Sequence, residues 1–299
     1  MCGHATIALG LFLVDSDNEA YPSLLHNDSL RLDERTMTVT IRLHCPCGIV
    51  RVTVPVVTAL PDLRCRSCPN RPVSFISVDS YATGIDVEAT IPEGKRWPEL
   101  GNRGRLTVDF AYSGAFYYIA DATELGFDGI KSPDLSALSR ASAMLKDALT
   151  ADSKYAPFFK HATDATLGTL YGIIVRDSYQ SALEEGVDGA ELGIRFFANQ
   201  QVDQSPCGSG SAARRALAHA KHKWPMGSKC TYHSIISDAS GGLGGFTASV
   251  VEESPDQRNV AGRVGESVRI LVEGRAFYTG FSSFVMEPAD RISGAGFLI

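Results

Sequence analysis

The 299-residue chain contains no apolar run approaching the roughly 20 residues that span a bilayer. Its one early apolar stretch, Ile7–Val14, is short. It has neither a basic segment before it nor a small-residue cleavage site after it, so it does not read as a signal peptide. A basic stripe is also missing: 28 Lys and Arg stand against 34 Asp and Glu, a formal net charge of −6, which argues against a nucleic-acid partner. The glycine cluster Gly241-Gly242-Leu243-Gly244-Gly245 lacks the Lys-Ser/Thr that follows a phosphate-binding loop. No lysine sits in a recognisable pyridoxal phosphate context, so chemistry without a cofactor is expected. With no export signal, the odd count of seven cysteines favours free thiols in a reducing, cytoplasmic setting over a disulfide framework.

What is present is ordinary globular material, 44% hydrophobic and 21% charged, with length enough for one large domain or two lobes with cores. Residues 5–14 suit a buried helix. Strands are predicted at 36–43, 49–54 and 73–79, with Gly48 and Pro72 as punctuation. Two further strand-like runs flank Ser113-Gly114 within 105–120. Leu135, Leu138, Ala141, Leu145 and Leu149 keep one helical face over 134–149. Strands are expected at 168–176 and 192–198 and a small-residue helix at 209–222, followed by mostly strands with Gly-rich turns.

One long-range echo carries the functional reading. Residues 2–8 read Cys-Gly-His-Ala-Thr-Ile-Ala and residues 207–213 read Cys-Gly-Ser-Gly-Ser-Ala-Ala. Each places a cysteine before a predicted helix. A thiol at a helix N-terminus feels the positive end of the macrodipole and unpaired backbone N–H groups, which favour the thiolate. Two such thiols across a cleft can remove a proton from one face of a carbon and return one to the other. The same N–H groups can hold a carboxylate and stabilise the charge that moves onto it. Chance similarity of small residues, with each cysteine a buried hydrophobe, is the competing reading.

Met1-Cys2-Gly3-His4-Ala5-Thr6 and Asp203-Gln204-Ser205-Pro206-Cys207-Gly208-Ser209-Gly210 resemble the two signature motifs of the proline racemase family. That family includes proline racemases, hydroxyproline 2-epimerases and trans-3-hydroxy-L-proline dehydratases. Supporting matches are His44-Cys45-Pro46-Cys47-Gly48, Arg71-Pro72-Val73-Ser74-Phe75, the run from Asp109 to Tyr117, and Gly294-Ala295-Gly296-Phe297-Leu298. The resemblance implies an α+β fold of two pseudo-symmetric lobes, each a mixed sheet around a central helix, like diaminopimelate epimerase. It implies proton transfer by Cys2 and Cys207, a carboxylate held at Gly3, His4, Gly208 and Ser209, and a substrate amine held by Asp203. Phe197, just before the second motif, is a candidate for lining the ring pocket. The implied partner is a small molecule, proline or hydroxyproline, with a homodimer an allowed assembly.

Two departures shape the expectation. The family's first motif lies well inside its chains, whereas here it begins at residue 1. The resemblance therefore implies an incomplete first lobe, over 1–103 and closed by about 281–299, with a second lobe over 104–280. The other departure is Cys207. The eukaryotic dehydratases that the surrounding sequence resembles typically have Thr there. A second cysteine favours a racemase or epimerase of proline or hydroxyproline, which needs an acid on the opposite face. The background similarity favours a dehydratase, and a truncated, non-catalytic paralogue is the third reading.

A zinc site is the rival within the sequence. Cys45-Pro46-Cys47 and Cys65-Arg66-Ser67-Cys68 supply four thiols beside His44, though only the second pair has the spacing of a zinc knuckle. The reading adopted is that no metal is bound. Cys230 has no motif around it and no role is assigned.

Overall fold

The computed structural model describes residues 2–16, 23–25, 30–58, 65–131, 134–177, 185–254, 263–280 and 282. The segment expected to close the first lobe, and the Gly294–Leu298 motif, thus lie almost wholly outside the described residues.

Helix α1 (Gly3–Asp15) begins at Cys2, whose extended backbone makes it the N-cap. After β1 (Leu32–Asp33), strands β2 (Thr38–Cys45) and β3 (Gly48–Thr58) form a hairpin around Pro46-Cys47, with Gly48 taking φ +125°. Val50, Val52, Val54 and Val56 alternate inward along β3. Strands β4 (Cys65–Ser67) and β5 (Val73–Ile76) both pair with β3. Helix α1 packs on β3, β4 and β5, and Gly10 sets the approach: a Cβ there would lie 2.7 Å from a Val52 methyl.

The rest of the chain builds a barrel. In order come β6 (Ser80–Thr90), β7 (Arg105–Tyr112), β8 (Phe116–Asp121), helix α2 (Leu135–Ala151), β9 (Leu170–Asp177) and β10 (Gly189–Phe197). Then follow β11 (Gln201–Val202), helix α3 (Gly208–Ala220), β12 (Cys230–His233), the short α4 (Ile235–Ala239), β13 (Phe246–Glu253) and β14 (Val264–Gly274). Among the described residues, eight strands close on themselves in the order β6-β7-β8-β9-β10-β12-β13-β14, with β14 pairing back to β6. The neighbours are antiparallel except β8–β9 and β10–β12. Helix α2 spans the first parallel connection and packs on β9, while α3 spans the second and contacts β6, β7, β13 and β14.

Helix α3 runs through the barrel, and every residue from Gly208 to Ala218 is buried. An eight-stranded barrel leaves an interior little wider than its own side chains need. A helix fits there only if it is narrow, which is what Gly-Ser-Gly-Ser-Ala-Ala provides. Two arginines on α3 are nonetheless buried. Arg214 is paired with Glu191 of β10 at 3.1 Å, and Arg215 donates to the Pro225 carbonyl at 2.9 Å. The result is a mixed α+β fold with a central β-barrel and flanking helices.

Two differences from the sequence expectation have local causes. The strand predicted over 73–79 ends at Ile76, because buried Ser77 and Ser80 hydrogen-bond the Val78 carbonyl and each other and bend the chain. Helix α4 interrupts the strand-rich C-terminal region because Ser234 and Ser237 form a reciprocal capping box.

Candidate active site

The site grows out of β10. Its run of apolar residues is broken by Glu191 and Arg195, both buried. Beyond Phe197 the chain turns tightly, with Ala198 and Gln200 at φ +46° and +61°, and β11 folds back on Phe196 and Phe197. This return lets the Asp203 N–H donate to the Arg195 carbonyl at 3.0 Å. Asp203 then accepts from the N–H and hydroxyl of Ser205 at 3.0 and 2.9 Å, and Ser205 Oγ accepts from the Cys207 N–H at 3.2 Å. Ser234 donates to the Gln204 carbonyl at 2.7 Å and Arg214 to the Pro206 carbonyl at 3.1 Å. These bonds fix Cys207 at φ +65°, ψ 106°, a conformation costing a non-glycine residue about 1–3 kcal/mol.

In that pose the Cys207 sulfur caps α3. It accepts from the Gly210 N–H at 3.1 Å and from Arg195 Nη1 at 2.9 Å. The Tyr117 and Ser209 hydroxyls lie 3.8 and 3.7 Å from it and bond each other at 2.8 Å. The same Arg195 nitrogen donates to Asp203 Oδ2 at 2.7 Å, and the guanidinium lies among the rings of Tyr117, Tyr171 and Phe197. Burial disfavours the Arg195 charge, but Cys207, Tyr117 and Asp203 outweigh it and hold the group protonated. Burial, then the neighbouring Cys207, push the Tyr117 phenol well above its ordinary range, so it stays neutral.

The second thiol arrives on α1. The two helix N-termini abut: a Cβ on Gly3 would lie 2.6 Å from Gly208 Cα, and one on Gly208 would lie 2.8 Å from Gly3 Cα. Phe75 of β5 packs under both, 2.9 and 3.2 Å from the same positions. Each glycine is therefore required by the approach of the other helix. Two positive helix ends converge on one place, an arrangement that favours an anion between them.

The structure brings Cys2, Gly3, Gly208, Ser209 and Cys207 to this junction. Cys2 is exposed and its side chain caps nothing, whereas Cys207 is 2% exposed. His4 lies edge-on to Phe246, ring centroids 5.6 Å apart. Asp203 is engaged by Arg195 and Ser205, and Phe197 lies over Arg195. Sequence reasoning passed over Arg195 and Tyr117. A charged residue inside an apolar strand was the available signal for the first, and the Asp109–Tyr117 match for the second.

The two cysteine pairs do not meet. Cys45 lies opposite Gly48 and Cys65 opposite Thr58, the two ends of β3, roughly 33 Å apart at 3.3 Å per residue. The four thiols cannot share one ion. Among the described residues no group of three or more His, Cys, Asp or Glu is disposed to hold a metal. A cavity of about 640 Å³, lined by Cys47, Tyr81, Tyr112, His161, Arg263 and Arg269, includes neither Cys2 nor Cys207. No helix among the described residues is long and apolar enough to cross a membrane.

Comparison with known proteins places this arrangement. The chain is 32% identical over 302 residues to the trans-L-3-hydroxyproline dehydratase of Bos taurus, covering all of this chain and 71% of the bovine protein. It is equally similar, 32% over 301 residues with the same coverage, to the trans-3-hydroxy-L-proline dehydratase of Homo sapiens. Among solved structures it resembles a probable proline racemase from Agrobacterium radiobacter, determined with bound carbonate, at TM-score 0.65 and 23% identity, covering 100% of this chain and 72% of the other. A hydroxyproline epimerase from Agrobacterium vitis, determined with trans-4-hydroxy-L-proline, superposes at TM-score 0.62 and 22% identity, covering 94% and 66%. The family model described as proline racemase matches residues 1–297. The chain is an enzyme of the proline racemase family.

Proposed function

We propose that the chain eliminates water from trans-3-hydroxy-L-proline. The carrying observation is that six trans-3-hydroxyproline dehydratases share 30–32% identity with it over the whole of its length. This reverses the weighting that Cys207 invites, because similarity along the entire chain bears on more of the site than one residue does. The coarser chemistry is common to the family: cysteine-mediated isomerisation or elimination on proline-like substrates, without pyridoxal phosphate.

In this reading the substrate carboxylate sits at the joined N-termini of α1 and α3, where N–H groups stabilise the charge that builds on it. A cysteine thiolate takes the α-proton, and the freed electron pair forms the Cα–Cβ double bond. The C–O bond at C3 breaks, and the hydroxyl leaves as water, taking a proton back from the thiol that the abstraction formed. Asp203 holds the ring nitrogen with the acceptor capacity left by Arg195 and Ser205. Gly3, His4, Gly208 and Ser209 hold the carboxylate, and Phe197 borders the ring.

A second reading, racemisation or epimerisation, is favoured by the presence of a cysteine at each of the two abutting helix starts. One experiment decides: wild type is incubated in deuterated water with trans-3-hydroxy-L-proline, trans-4-hydroxy-L-proline and L-proline. Loss of the 3-hydroxyl from the first, without inversion of the other two, is the expected result. Inversion of proline or 4-hydroxyproline without elimination would establish the second reading instead.

A further inference from the structure

The cavity of about 640 Å³ that includes neither Cys2 nor Cys207 is walled largely by one sign of charge. Arg42, Arg51, Arg263 and Arg269 line it, and among the described residues Asp79 is the one carboxylate that lines it. Asp79 pairs with Arg269 at 3.1 Å, while Glu252 is shared between Arg269 at 3.3 Å and Arg51 at 3.4 Å. Arg42 has no carboxylate partner among the described residues.

Strand register sharpens the imbalance. Arg42 of β2 lies directly opposite Arg51 of β3, and like charges so placed repel. Arg51 is opposite Ile76 of β5, and Ile76 is opposite Leu271 of β14. Residues two apart on a strand share a face, so Arg269 joins Arg42 and Arg51 on one side of the sheet. Helix α1 packs on the other side, against Val52, and does not need this row of arginines.

A second wall offers a donor. Tyr112 is 3% exposed, and its oxygen lies 3.2 Å from His161 Nε2. His161 Nδ1 accepts from the Asp164 N–H at 3.0 Å, and burial holds the ring below its ordinary pKa. The neutral ring therefore carries its proton on Nε2 and donates it to Tyr112. Burial also pushes the Tyr112 phenol up, so it keeps its own proton. That O–H has no acceptor among the described residues, and Tyr112 and His161 both line the cavity.

We propose that this cavity binds a phosphate monoester, with the phosphate between Arg42 and Arg51 and the organic part reaching the Tyr112 hydroxyl. Such a phosphate carries nearly two negative charges at neutral pH, and its three free oxygens can meet the forks of two arginines at once. A carboxylate offers one charge and two oxygens. The volume lies in the range of small-molecule sites, roughly 300–1,000 Å³. The inference concerns a place separate from the two cysteines and does not rest on the reaction proposed above.

The test uses two small dianions, glycerol 3-phosphate and succinate, titrated calorimetrically into wild type, Arg42→Gln and Tyr112→Phe. Glycerol 3-phosphate should bind wild type, and its affinity should fall about tenfold or more in Arg42→Gln and about fivefold in Tyr112→Phe. Succinate should bind wild type at least about tenfold more weakly than the ester. Arg42→Gln should melt no lower than wild type, because it relieves the repulsion with Arg51, so its weaker binding reports the lost contact. Absence of glycerol 3-phosphate binding to wild type up to about 10 mM would overturn the proposal. Undiminished binding in Arg42→Gln would overturn it as well, by placing the anion elsewhere, such as at the two helix starts. Succinate held as tightly as the ester would overturn the assignment to phosphate.

Discussion

The two helices that meet at the site live in different surroundings. Helix α3 is enclosed by the barrel and buried from Gly208 to Ala218. Helix α1 lies on one open sheet and exposes Ala5, Ala8 and Leu9. Their sequences run opposite to their settings. The enclosed helix carries serines and two arginines, while the open one is apolar from Ile7 to Val14. The lesson is that enclosure is set by fit as much as by hydrophobicity. A narrow barrel accepts small residues and even two buried arginines, whereas among the described residues an apolar helix is covered on one face alone. The cysteines inherit the difference, one buried and bonded, the other open.

Disrupting the enclosed side should have the largest effect. Arg214→Ala leaves buried Glu191 with only Arg176, at 4.0 Å, and frees the Pro206 carbonyl, and should cost about 3 kcal/mol in denaturant unfolding. A cost below about 1 kcal/mol would mean that the pair is solvated and the enclosure looser than described. Next comes the junction. Gly3→Ala puts a methyl 2.6 Å from the Gly208 backbone and should push the helix starts apart, lowering turnover roughly 100-fold with smaller loss of stability. Near-normal turnover in this variant would show that the abutment is dispensable.

The third prediction concerns a buried thiol of the barrel. Burial pushes Cys230 up to about 12. The unfolded chain sheds this proton near pH 8.5 and the folded one keeps it, so the contribution is complete below about pH 8.5 and is lost as the pH climbs toward 12. Wild type should lose on the order of 1–2 kcal/mol by about pH 10 relative to Cys230→Ala, read from paired unfolding curves. Parallel curves would remove Cys230 from the account. Smallest of all, Leu9→Gln on the open helix should change stability by less than about 0.5 kcal/mol. A larger cost would show that this face is covered in solution.

The helices were legible where their pattern is local: Leu135 to Leu149 gives α2, and the small residues after Cys207 give α3. Cys2, Cys207 and the glycines beside them were legible through the paired motifs. Strand β6 was not read, because Gly84 and Asp86, the latter at φ +51°, break its alternation, and its pairing with β7 shifts register there twice. Barrel closure was beyond reach for another reason. The Ser80–Val268 pairing joins residues far apart in sequence, and nothing near either one records the other. Arg195 shows an intermediate case: its charge in an apolar strand marks it as unusual, but its partner comes into range only through the turn at Ala198–Gln200.

Strand β14 belongs to both parts of the molecule. Val264 and Val268 pair with β6 and close the barrel, while Leu271 to Gly274 pair with β5 on one side and Leu271 to Glu273 with β13 on the other. It therefore works as a ruler. Helix α3 is seated against its barrel face, and α1 against the sheet that β5 carries. The spacing of the two helix starts is counted out in hydrogen bonds along one strand. A slip of one residue would turn every β14 side chain to the wrong face, so the count cannot drift by small amounts. The spacing of the two helix starts is in this sense quantised. It is fixed when the strand docks during folding, and a substrate meets a gauge already set.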